Sequence, residues 1–193
     1  MKKLALLLFA VLIGTASCTQ KQEHAKFQGV SINGHIDDFV AKLEQLGYEE
    51  QARSEETNGV LMTGKFTDKD VHLFIYHTPE SKTVWSVWTC FERVANWDDL
   101  KASYFECKAE YVKNTEWKEI TYQEDFLEPY EEGDGNEMQA VREKKSNYWT
   151  HLNGSNGGIS IAISTNCAIT LIHTDYANFA LNNAEKKSIT DGI

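Results

Sequence analysis

The residues able to hold a metal or move a proton are scattered along this chain. Six histidines stand at 24, 35, 72, 77, 151 and 173, and four cysteines at 18, 90, 107 and 167. A strand over 71–77 puts His72 and His77 on opposite faces, because side chains alternate along a strand, so the two cannot share a metal. His72 would need a histidine from a neighbouring strand, His151 or His173. There is no Cys-x-x-Cys, no His-Glu-x-x-His, no phosphate-binding loop and no dinucleotide fingerprint. Glu131, Glu132, Asp134, Asn136 and Glu137 offer hard oxygens of the kind Ca²⁺ takes. They lack the alternating acidic register of a calcium loop, so the run 128–137 reads as a solvated acidic loop. Gly154-Ser155-Asn156-Gly157-Gly158 has the glycines of a nucleophile elbow but not its serine spacing, and it precedes a strand rather than a helix. It reads as a turn. The expectation is therefore no catalytic residue, no metal and no cofactor.

Aromatic residues carry the more specific signal. They make up 11% of the chain, with five Trp among them. A regular strand over 83–93 places Trp85, Val87, Thr89 and Phe91 on one face, and Val84, Ser86, Trp88 and Cys90 on the other. A strand apolar on both faces is either covered on both sides or offers one side to a partner. Packing under helices is the plainer expectation, since Trp is usually mostly buried. The sharper one makes Trp85 or Trp88, with Tyr148 and Trp149, the aromatic anchors of a protein or glycan interface. The net charge of −10 argues against nucleic acid, which needs a basic patch.

The N-terminus places the chain. Residues 1–17 have two lysines, an apolar run too short to span a bilayer, and small residues before Cys18, the pattern of a secretory signal. Thr15-Ala16-Ser17-Cys18 resembles the lipobox of bacterial lipoproteins, with Thr15 where Leu is usual. The resemblance implies a lipidated Cys18 at the mature N-terminus, and hence a membrane contact made by lipid. Loss of Lys2 and Lys3 takes the formal charge from −10 to −12. The polar residues 18–26 read as a tether. Thr19 follows the cysteine, not the aspartate of inner-membrane retention, and no acidic run follows. An outer-membrane lipoprotein is expected, facing the periplasm rather than the cell surface. Cys90, Cys107 and Cys167 remain, an odd number allowing one disulfide at most; buried thiols are the simpler expectation.

The elements that must position these groups follow from periodicity. Asp37 or Asp38 caps a helix carrying Ile36, Phe39, Val40, Leu43 and Leu46, and Gly47 stops it. An acidic loop follows, then strands over 60–67, 71–78 and 83–93. Asn96 caps a second helix with Trp97, Leu100, Tyr104, Cys107 and Tyr111 on one side. Strands are expected over 117–126, 140–152, 159–165 and 168–174, the last two as a hairpin. Asp175 caps a final helix, 176–187, whose inward side is expected to be Tyr176, Phe179, Ala180 and Leu181. The fold class is α+β: a helix followed by an antiparallel meander, repeated twice, with helices on one face of the sheet and a C-terminal helix. Ile36-Asp37-Asp38-Phe39 and Trp97-Asp98-Asp99-Leu100 open the two long helices alike. Residues 27–193 read as one domain of two similar halves, about 27–93 and 94–193.

Phe27-x-Gly29-Val30-x-Ile32-x-Gly34 and Phe39-x3-Leu43-x3-Gly47, behind a lipobox, resemble an uncharacterised family of small Bacteroidetes lipoproteins. The helix-meander repeat is similar to the β-lactamase-inhibitor-protein fold and to the small lipoprotein of the outer-membrane barrel-assembly machine. That similarity implies binding to another protein through a sheet face or loops, without catalysis. The expected function is a non-catalytic, lipid-anchored envelope binding or assembly protein. The alternatives are an envelope hydrolase or glycan-processing enzyme, whose signature is two carboxylates about 5–10 Å apart in a cleft, and a small-ligand carrier with an apolar pocket.

Overall fold

A computed structural model describes residues 22–113 and 117–191. The expected signal sequence over 1–17, Cys18 and the first part of the expected tether lie outside the described residues. The chain begins with a small hairpin, β1 (Lys26–Phe27) and β2 (Val30–Ser31). Gln28 and Gly29 both take positive φ, 45° and 81°, as a two-residue hairpin turn of this hand requires. Helix α1 (Ile36–Glu44) follows. Its cap is His35, whose side chain accepts from the Asp37 N–H, and not Asp37 or Asp38. Those two carboxylates fill the first turn, where the helix dipole favours them. Gly47 ends the helix at φ 89°, and the N–H groups of Gly47 and Tyr48 close back on the carbonyls of Glu44 and Leu43.

Four strands then form a meander: β3 (Glu49–Ser54), β4 (Gly59–Phe66), β5 (Lys69–His77) and β6 (Val84–Phe91). β3 falls where a loop was expected. It is the sheet's edge, and its charged side chains suit an edge strand but hide its periodicity. Helix α2 (Trp97–Val112) has the expected Asn96 cap, whose Oδ1 accepts from the Asp99 N–H at 2.9 Å. β7 (Glu119–Gln123) opens the second meander. The strand expected over 140–152 is instead a short helix, α3 (Glu137–Arg142), and then β8 (Trp149–Asn153). Glu137, Ala140 and Val141 are buried at helical spacing, but the helix is only six residues long, too short for its period to stand out in the sequence. The hairpin β9 (Gly157–Ser164) and β10 (Ala168–Asp175) stands as expected, and α4 (Tyr176–Asp191) closes the chain.

All eight long strands make one antiparallel sheet in the order β3-β4-β5-β6-β10-β9-β8-β7. The last strand of each meander meets the other at the centre, with Leu171 opposite Thr89 and His173 opposite Val87. The inner face carries Met62, Leu73, Ile75, Val87, Leu171 and Ile161 into one core. Phe27 and Ile32 of the first hairpin, Phe39 and Leu43 of α1, and Leu100 and Tyr104 of α2 complete that core. This is the α+β fold with a sheet built from meanders. The polar tether is fixed to the fold from His24 onward: the His24 Nδ1 and the Ala25 N–H meet the buried Asp175 carboxylate at 3.1 and 2.9 Å. Gly157, read from sequence as turn punctuation, sits against the Thr174 carbonyl and Ala25, where an added Cβ has no room.

Candidate binding surface

The outer face of the sheet follows from the register. One cross-strand row runs Leu61, Phe74, Trp88, Ile172, Ser160 and His151 from β4 to β8. The rows beside it run Thr63, His72, Cys90, Thr170, Ala162 and Trp149, and Gly59, Tyr76, Ser86, Thr174, Gly158 and Asn153. None of these positions on the six inner strands carries Asp, Glu, Lys or Arg, in a chain where 25% of residues are charged. Phe74 is 37% exposed, and Leu61, Tyr76, Trp85, Trp88 and Ile172 are half-buried, so the face is open to solvent.

Trp85 reaches this face by an irregularity that alternation alone misses. Tyr76 pairs with Ser86 but His77 pairs with Val84, so Trp85 is an extra residue in β6. Such a bulge reverses the alternation beyond it. Trp85 therefore joins Trp88 on the outer face, while Val84 joins Val87 inside; the expected partition of this strand is corrected there. The Tyr76 ring lies 5.9 Å from Trp85 and 5.1 Å from Trp88, and Phe179 of α4 lies 5.4 Å from Trp85. The Trp88 Nε1–H donates to Ser86 Oγ at 3.1 Å, and that hydroxyl donates to the His173 carbonyl. The ring is held along its strand by a satisfied polar atom.

The other two expected aromatics are placed apart from this pair. Trp149 is exposed on the same face, three strand spacings or about 14 Å from β6. Tyr148 is 2% exposed and sits in the core with Trp97, Tyr104 and Phe126 at 5.0–5.8 Å, which removes it from any surface. Phe74, Tyr76 and Phe179 were not foreseen. The first two were findable, since they alternate with Leu73 and Ile75.

The remaining candidate chemistry disperses. His72 and His151 share the outer face but lie four strand spacings apart, about 19 Å, and His173 is on the inner face. Among the described residues no group of three or more His, Cys, Asp or Glu converges on a metal-sized point. Three carboxylates of the acidic loop are already engaged. Asp134 accepts from the N–H groups of Glu131 and Asn136, Glu137 from Gly133, and Glu132 pairs with Lys101 and accepts from Tyr148. Cys90, Cys107 and Cys167 are free thiols; burial pushes the Cys107 thiol up to about 12 and Cys90 upward too.

One large cleft opens on the inner side of the sheet, between α2 and the β4–β5 hairpin, with a volume of about 1130 Å³. Phe66, Phe91, Val94, Cys107, Tyr111 and Ile169 form its apolar floor. Among the described residues no helix is long and apolar enough to cross a membrane. No protein-family model, curated protein or solved structure matches the chain, which stands as an α+β protein with an eight-stranded antiparallel sheet.

Proposed function

We propose that this chain is a non-catalytic binding protein of the bacterial envelope, held by lipid on Cys18, that docks a partner protein through the outer face of its sheet. The observation carrying the reading is the charge-free aromatic strip of Phe74, Tyr76, Trp85 and Trp88 on an otherwise acidic molecule. Protein interface cores are depleted of charge and enriched in Trp, Tyr and Phe. A protein is favoured over a glycan by the ring geometry. Tyr76 is tilted 35° to Trp85 and 62° to Trp88, and Trp85 is tilted 46° to Phe179. Such a corrugated surface accepts interlocking side chains, whereas stacking a sugar chain calls for coplanar rings. The lipobox-like Thr15-Ala16-Ser17-Cys18 points the same way. Periplasm-facing attachment at the outer membrane is part of the proposal.

A photo-crosslinking residue at Phe74, in cells making the lipoprotein, tests it against the same residue at Glu44 on α1. A discrete protein adduct is expected from position 74 and not from 44, and Trp88→Ala should abolish it. Trp88 is only half-buried, so that variant should lose about 1–2 kcal/mol of stability, below the 3–5 typical of a core Trp. An adduct made of carbohydrate, or the same adduct from both positions, overturns the proposal.

A further inference from the structure

We propose that the cleft between α2 and the β4–β5 hairpin is a binding site for a cationic amphiphile, a molecule with an apolar tail and an ammonium head. Its volume of about 1130 Å³ lies just above the usual range of small-ligand sites, about 300–1,000 Å³. Among the described residues Phe91, Val94, Cys107 and Tyr111 are left partly uncovered at this floor, over the buried Phe66 and Ile169, and burying their carbon surface against a tail is favourable in proportion to area. The head is chosen by charge. Asp68, Asp70, Glu92, Glu106 and Glu110 stand around the cleft against Lys69 and Arg93. Lys65 holds Asp70 at 3.0 Å and Lys113 holds Glu110 at 3.7 Å, both in exposed and therefore weak pairs. Asp68, Glu92 and Glu106 have no ion pair within 4 Å among the described residues. Lys69 and Arg93, neither of them in an ion pair among the described residues, are the cations an anionic head would meet there, and the three unpaired carboxylates outnumber them.

The site lies on the opposite side of the sheet from the aromatic strip, so its test is independent of the protein-docking proposal. Decyltrimethylammonium, decyl sulfate and decyl maltoside share a tail and differ in head. Each is titrated calorimetrically onto the folded chain, below its micelle concentration and where circular dichroism stays native. The cation is expected to bind at least about ten-fold more tightly than the sulfate, and Glu92→Gln with Glu106→Gln should narrow that ratio. Ala95→Trp and, separately, Ser103→Trp fill the cleft from two sides, and either should abolish binding. Trp88→Ala on the outer face should leave it unchanged. Sulfate binding as tightly as the cation, cation binding that survives both filling variants, or its loss in Trp88→Ala overturns the proposal.

Discussion

His173 stands on β10 with its ring 5.3 Å from Phe27 and 5.9 Å from Tyr111, and its Nδ1 finds no hydrogen-bond partner. Burial holds its pKa down to about 4, against 6.5 for a free imidazole. An unfolded chain takes up a proton here as pH falls below 6.5, while the folded chain does not until near 4. Stability is therefore intact above this window and is lost as pH falls through it. A shift of this size corresponds to roughly 3 kcal/mol. His77 moves the same way, because its burial outweighs its contact with the Thr78 carbonyl. Denaturant unfolding at pH 7 and pH 4.5 should show His173→Phe losing about 2 kcal/mol less than the natural chain over that interval. Equal losses in the two proteins would show that His173 is protonated while folded. Part of this residue-level picture was legible in the sequence. Alternation of Ile159, Ile161 and Ile163 fixed the inner side of the hairpin, and Asn96 announced the start of α2. Trp85 was not legible, because one inserted residue in β6 changes its face and nothing in its neighbours marks the insertion.

The C-terminal helix turns a polar side inward. Asn178, Asn182 and Glu185 are its buried residues, whereas Phe179 is 41% exposed and Leu181 38%. The expectation of an inward Phe179, Ala180 and Leu181 is overturned because α4 packs against backbone at the strand ends, where hydrogen-bonding groups need partners. Asn178 Nδ2 donates to the carbonyls of Ile32 and Val84 at 2.9 and 3.0 Å, and its N–H donates to the Asp175 cap. Glu185 accepts from the N–H of Glu80 at 2.7 Å, from that of Ser81 at 3.2 Å and from Ser81 Oγ at 2.6 Å, latching the helix to the β5–β6 turn. Burial alone would raise the Glu185 pKa; these donors reverse the sign and hold it below the usual 4.5. The latch is thus present above that value and released as pH falls through the lower, folded one. Glu185→Ala should cost about 1–3 kcal/mol and speed amide exchange along α4 more than along α2. Unchanged protection in α4 would show that the latch holds nothing. Hydrophobic periodicity reports which residues leave water for a carbon core, so an element docked by polar contacts reads inside out.

At the scale of the whole molecule, the two meanders share the β6–β10 ladder and one uninterrupted apolar core. Neither has an independent interior, so tryptophan fluorescence and far-ultraviolet circular dichroism should report one unfolding transition with a common denaturant midpoint. Two separated midpoints would mean that the halves fold as separate units. The order of helices and strands was largely readable, because α1, α2 and the β9–β10 hairpin are strongly periodic. Their assembly was not: which strands meet at the centre is decided by long-range pairing that leaves no local trace. β10 gives the assembled molecule a direction. Its last residue, Asp175, grips His24 and Ala25 at the start of the described chain, and its second residue, Ile169, borders the cleft. Six residues of extended strand set the two about 20 Å apart. The cleft thus opens at the opposite end of β10 from the first described residues, so an attachment through the N-terminus, as proposed, would leave its mouth away from the point of attachment.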